Sequence, residues 1–215
     1  CRLGNTRQLD LLICYGPASA NLAHLRRLCG GRLRAPQPAG YEAWSVADSF
    51  VRRWADDDAM RRTVSAIWLE FDDVTRPPEL AAPSLSACIA PNYGRDWHDA
   101  LTSRTLLREA VLRTCAALEP NAQPEVAERL EAALGLLPHG GRYIHVSVMA
   151  ARSPSALKLY GVCPASKLLP YLEQVGLSNG VGSIGDFMDA CAPEALIGED
   201  VYFDLNVSAL AGPAT

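Results

Sequence analysis

The sequence is poor in most of the features that announce a function. Of its 20 basic residues only Lys158 and Lys167 are lysine, and the net charge is -4. A nucleic-acid partner normally leaves a basic footprint, and none is present. No apolar run approaches the length of about 20 residues that spans a bilayer, so no membrane helix is expected. No signal-peptide pattern is visible, although the chain opens at Cys1 rather than Met. Phosphate-binding G-x-x-x-x-G-K-[ST], dinucleotide-binding G-x-G-x-x-G after a strand, and G-x-S-x-G are all missing. The seven cysteines, Cys1, Cys14, Cys29, Cys88, Cys115, Cys163 and Cys191, form no C-x-x-C pair and stand in apolar contexts such as "LLICYG" and "LRTCAAL". That pattern predicts free, buried thiols in a reducing cytoplasm rather than a disulfide framework or a zinc site, with Cys14, Cys88 and Cys115 reduced and largely buried.

What is present is enough apolar material for a core. The chain has 215 residues, 49% of them hydrophobic, which fits a single domain over 1–215 or two similar halves meeting near 92–140. Hydrophobic spacing predicts strands over 8–15, 65–72, 84–90, 142–151, 155–162 and 201–210. It predicts helices over 19–29, 45–64, 96–118, 123–137 and 164–177, and a last one becoming regular near Ile184. Residues 30–44 read as a loop rich in Gly and Pro. Ser45 followed by Asp48 resembles a capping box. The run Asp56, Asp57, Asp58 reads as a solvated helix surface. "SNGVGSIGD" reads as a Gly-rich loop of the kind that cradles anions before a helix, though no lysine accompanies it. The order strand, two helices, two strands, two helices, two strands, two helices, strand predicts an α+β fold. Its mostly antiparallel sheet would carry helices on one face, with a possible pseudo-repeat.

Side chains alternate along a strand, so each strand sorts its residues into two faces. Ile67, Leu69 and Phe71 oppose Trp68, Glu70 and Asp72. Ile144, Val146 and Val148 oppose Tyr143, His145, Ser147 and Met149. Leu157 and Leu159 oppose Lys158 and Tyr160. Val201, Phe203, Leu205 and Val207 oppose Tyr202, Asp204, Asn206 and Ser208. Four strands thus share an aliphatic face and a face mixing aromatics with ionisable groups. One reading is a solvated outer face. The other is a concave binding surface, favoured by Trp and Tyr beside carboxylates and a histidine.

On the second reading His145 is the proton-transfer candidate, because a histidine titrates near neutrality. Tyr160 or Lys158 would serve as the acid, with Glu70 or Asp72 orienting the imidazole. Trp68, Lys158, Asp204 and Asn206 would bind substrate. Glu70, Asp72, His145 and Asp204 also offer a conceivable donor set, but the expectation is no metal and no cofactor. His98, in "NYGRDWHDA", sits in a polar loop suited to a lid, and His139, in "LLPHGG", reads as a turn residue.

The segment "WLEFD" (68–72), the opening "CRLGNTRQLDLLICYGP", "HVSVMAARSP" and "LPYLEQVGL" resemble an uncharacterised group of bacterial proteins. That group is associated with gene clusters for ribosomally made, modified peptides, including class V lanthipeptides. The resemblance spans most of the chain and carries no catalytic signature. It implies a peptide-modifying role in the cytoplasm, with a precursor peptide and other biosynthetic enzymes as partners. Such clusters need a function that closes thioether rings, so a metal-independent lanthionine cyclase is one expectation. A non-catalytic protein that binds the precursor peptide is the other.

Overall fold

The computed structural model describes residues 11–16, 18–34, 40–72, 82–89, 104–120, 122–151, 156–190 and 199–207. The chain runs β1 (Leu11–Tyr15), α1 (Ser19–Leu33), α2 (Tyr41–Asp56), α3 (Asp58–Thr63), β2 (Ala66–Phe71) and β3 (Ser84–Cys88). It continues α4 (Arg104–Leu118), α5 (Pro124–Leu136), β4 (Arg142–Val148), β5 (Leu157–Pro164), α6 (Ala165–Gln174), α7 (Ser178–Ala190) and β6 (Asp200–Asn206). The six strands form one sheet in chain order, and every neighbouring pair is antiparallel. The fold is therefore α+β. The order falls into three strand–helices–strand units, each with its two strands side by side. The sheet is continuous across 92–140, because β3 pairs with β4.

The core explains why the helices lie where they do. One row across the sheet reads Tyr15, Ile67, Ala87, Val146, Leu159, Leu205, and all six are buried. Residues from all seven described helices join these in a single hydrophobic cluster. Helix α2 shows the logic: Ala43, Trp44, Ala47, Phe50, Val51 and Trp54 recur at helical spacing and are all buried. Trp54 also satisfies its polar edge, its Nε1 donating to the Val64 carbonyl at 2.9 Å. The described helices thus cover one face of the sheet.

Several local expectations are corrected. Helix α1 runs through Gly30 and Gly31 to Leu33 instead of stopping at Cys29. Gly30 is buried where α1 meets α2, 3.8 Å from Asp48 and Arg52 measured from a would-be Cβ, so packing overrides its weak helix propensity. Helix α2 starts at Tyr41, after Gly40 at φ 68°, so Ser45 lies a turn inside it and is no cap. Asp48 instead accepts from Arg52 Nε at 2.6 Å. The helix expected over 45–64 breaks at Asp57, whose carboxylate accepts from Ala59 N at 2.7 Å and Met60 N at 3.3 Å to cap α3. The aspartate run is therefore a helix break as well as a polar surface. Gly176, at φ 85°, closes α6, with Leu177 N donating to the Leu172 carbonyl at 3.0 Å. Helix α7 then begins at once at Ser178, so "SNGVGSIGD" is helical and not an anion-cradling loop. Pro170 is accommodated within α6.

The remaining correction concerns β4. A bulge between Tyr143 and His145 leaves Ile144 as an extra residue, with Tyr143 opposite Gly161 and His145 opposite Tyr160. One inserted residue reverses the facing of everything before it. Tyr143 therefore turns into the core, fully buried, and hydrogen-bonds through its hydroxyl to Tyr171 of α6. It does not share the face of His145.

Candidate functional site

Among the described residues one face of the sheet is helix-free, and it is organised in two rows. The first crosses all six strands as Cys14, Trp68, Ser86, Ser147, Lys158, Asn206. The second runs Ala66, Cys88, His145, Tyr160, Asp204. Trp68, His145, Tyr160, Lys158, Asp204 and Asn206 thus occupy neighbouring positions on one surface, as strand alternation predicts.

His145 lies at the centre. Its ring centroid is 5.6 Å from that of Trp68 and 6.1 Å from that of Tyr160. Burial holds its pKa below the ordinary value, because a half-buried imidazole loses the water that would solvate its cation. At neutral pH the ring is uncharged, with one nitrogen free to accept a proton. Trp68 reaches it from two strands away by lying over β3, whose residues on this face, Ser86 and Cys88, are small and buried. Ser86 and Ser147 hydrogen-bond through their hydroxyls beneath. Lys158 Nζ pairs with Asp204 Oδ2 at 2.8 Å along the far side.

Glu70 shares this face but not this centre, and Asp72 follows the end of β2. Glu70 opposes Ser84, four residues along β3 from Cys88, the partner of His145. With β3 also between their strands, Glu70 and His145 stand on the order of 15 Å apart. Asp72 lies two residues beyond Glu70. Neither carboxylate is placed to orient the imidazole, and the acid closest in register is Asp204. Among the described residues no three His, Cys, Asp or Glu side chains stand together as a metal-binding group.

Two polar groups on the face have unspent hydrogen-bonding capacity. Trp68 Nε1 and Ser84 Oγ are buried without a partner among the described residues. Buried donors are normally satisfied, as Trp54 Nε1 is, so each exception calls for an explanation. A cleft of about 360 Å³ lies elsewhere, lined by Glu42, Ser45, Ser49, Glu119 and Ala150, and contains none of the expected site residues.

The sequence reading assigns Ser147 to this face but no residue of β3, although the alternation of "SLSAC" places Ser84, Ser86 and Cys88 together. Cys88 and Cys115 are buried and in no disulfide, as expected. Cys29 and Cys163 are also buried, their thiols pushed up by burial to about 12 and about 11. Cys14 is free but exposed, because it sits on edge strand β1 with its side chain on the helix-free face. His139 lies in a turn. His98 and Ser208 fall outside the described residues, as do Cys1 and Cys191. No described helix is long and apolar enough to cross a membrane. No family model, curated protein or solved structure matches the chain.

Proposed function

We propose that this protein binds a precursor peptide of ribosomal natural-product biosynthesis on the helix-free face of its sheet. The observation that carries the reading is the pair of buried groups there that have no partner among the described residues, Trp68 Nε1 and Ser84 Oγ, beside the Trp68–His145–Tyr160 ring cluster. A face built only for water seldom leaves a buried donor unpaired. An extended peptide brings amides and carbonyls at strand spacing, and its side chains find aromatic walls and the Lys158–Asp204 pair. The "WLEFD" resemblance supplies the class of peptide, and with it a cytoplasmic setting among other biosynthetic enzymes. The test is calorimetry with the dehydrated precursor peptide from the same gene cluster. Trp68→Phe keeps the ring contact and removes the N–H, and is expected to weaken binding several-fold, the worth of about 1 kcal/mol. Unchanged affinity in that variant, or no binding by the parent, would refute the reading.

A second reading has its own observation. His145 is held neutral and touches Tyr160, an acid beside a base. In a metal-independent cyclase, His145 would take the proton of a substrate cysteine thiol. The thiolate would add to Cβ of a dehydroamino acid, and the resulting enolate would be protonated at Cα by Tyr160 or by His145 itself. One S–H bond and the C=C π bond of the dehydroamino acid are lost, one S–C and one C–H bond form, and no redox partner is needed. Ring closure leaves the mass unchanged, so alkylation of free thiols followed by mass spectrometry is the measurement. A thiol count that falls only when the protein is present establishes catalysis, and a constant count leaves the binding reading alone.

A further inference from the structure

We infer that β1 is a self-association edge, through which two copies of this chain pair antiparallel and join their sheets. Among the described residues the sheet has two edges, β1 and β6, and they differ in kind. Strand β6 carries Asp200 and Asp204, which pair with Arg142 and Lys158. Charges on an edge strand are a common device against pairing, and two copies of β6 would bring carboxylates together. Strand β1, "LLICY", has no charge and no proline, and its five residues pair with β2 in regular register without a bulge. None of the usual protections is present within the strand.

Exposure indicates the form of the occupant. Leu11 lies on the helix-covered face and Leu12 on the helix-free face, yet they are 44% and 48% exposed. A helix docking on either face would cover one leucine and leave the other in water. A strand laid alongside covers both, because its own side chains alternate between the faces. A second copy of β1 fits this demand chemically. It offers leucine, isoleucine, cysteine and tyrosine to the same residues, and no like charges oppose each other. The pairing would be isologous, about a two-fold axis perpendicular to the sheet. That axis keeps both helix layers on one side and sets the two helix-free faces edge to edge.

The test is sedimentation of the full chain over a dilution series. The parent is expected to shift from monomer to dimer with concentration. Leu12→Lys is expected to remain monomeric while unfolding at the parental temperature, since the side chain it replaces is exposed. Mixing Leu12→Lys with Leu12→Glu is expected to restore a dimer that neither forms alone, which loss of folding could not produce. A parent that stays monomeric throughout overturns the inference, whether or not an added peptide occupies the edge. So does a dimer that survives Leu12→Lys, because it would use another surface.

Discussion

Trp68 and His145 touch across an intervening strand, their ring centroids 5.6 Å apart although one lies on β2 and the other on β4. The contact depends on β3 having only Ser86 and Cys88 beneath the indole. An aromatic on β3 would lift the tryptophan away and leave His145 in water. The contact therefore links a choice of small residues on one strand to the protonation of a residue on the next.

The first prediction follows from that link. Burial lowers the pKa of His145 from its ordinary 6.5. The unfolded chain then binds a proton at a higher pH than the folded one. Stability from this group is fully present above about 6.5 and declines as pH falls towards the folded pKa. An NMR titration should find the His145 midpoint below 6.5. Trp68→Ala should move it upward by admitting water, and His145→Gln should remove this component of the acid loss of stability. A midpoint at or above 6.5 in the parent would show that burial is not the controlling factor.

The two core tyrosines give an asymmetric prediction. The Tyr171 hydroxyl donates to the Ala133 carbonyl at 3.1 Å, so its single proton is committed and the Tyr143 hydroxyl must donate to it. Tyr143→Phe removes one hydrogen bond and leaves Tyr171 satisfied, at a cost of about 0.5–1.5 kcal/mol. Tyr171→Phe leaves the Tyr143 donor fully buried and unpaired, costing about 1–3 kcal/mol. Urea denaturation of both variants decides the matter. Equal losses, or a larger loss for Tyr143→Phe, would contradict this proton order.

Gly161 and Phe203 make a third case. They are cross-strand partners on β5 and β6, and a Cβ on Gly161 would lie 2.5 Å from Phe203 Cζ. The ring covers the backbone in the space a side chain would take. Gly161→Ala should destabilise by about 1–3 kcal/mol through overpacking. Adding Phe203→Leu should recover part of that loss, since the two sites share one contact. Strictly additive losses would mean that the ring does not depend on the glycine.

These cases show what a sequence reveals and what it conceals. The facings of β2, β5 and β6 were legible because period-two alternation is continuous in "IWLEFD", "LKLY" and "VYFDLN". The α+β order was legible because strands and helices differ so clearly in hydrophobic period. The position of Tyr143 was not, because a bulge is an insertion relative to a partner strand, and the partner is absent from a one-dimensional pattern. Helix α1 runs past its glycines because α2 packs on it, and that contact is tertiary. Glu70 was grouped with His145 correctly by face but not by distance, since alternation fixes the side of the sheet and only register fixes how far apart two residues lie.

The last prediction concerns chemistry, and it tests the cyclase reading alone. His145 has the properties a general base needs: it is neutral near pH 7, partly reachable, and next to a phenol. Its neighbours Trp68 and Tyr160 fix the ring by contact, so replacing it with alanine should leave the peptide-binding groups in place. His145→Ala should slow ring closure by about 10²- to 10⁴-fold, the usual worth of a positioned base, far more than any loss of peptide affinity from the ring cluster. Glu70→Gln should leave the rate near parental, because Glu70 is too distant in register to orient the imidazole. The rate of the parent should fall as His145 gains a proton, with the midpoint seen by NMR. A parental rate for His145→Ala would remove His145 from catalysis. A loss in Glu70→Gln equal to that in His145→Ala would mean that the two act together and that the open arrangement closes around the peptide.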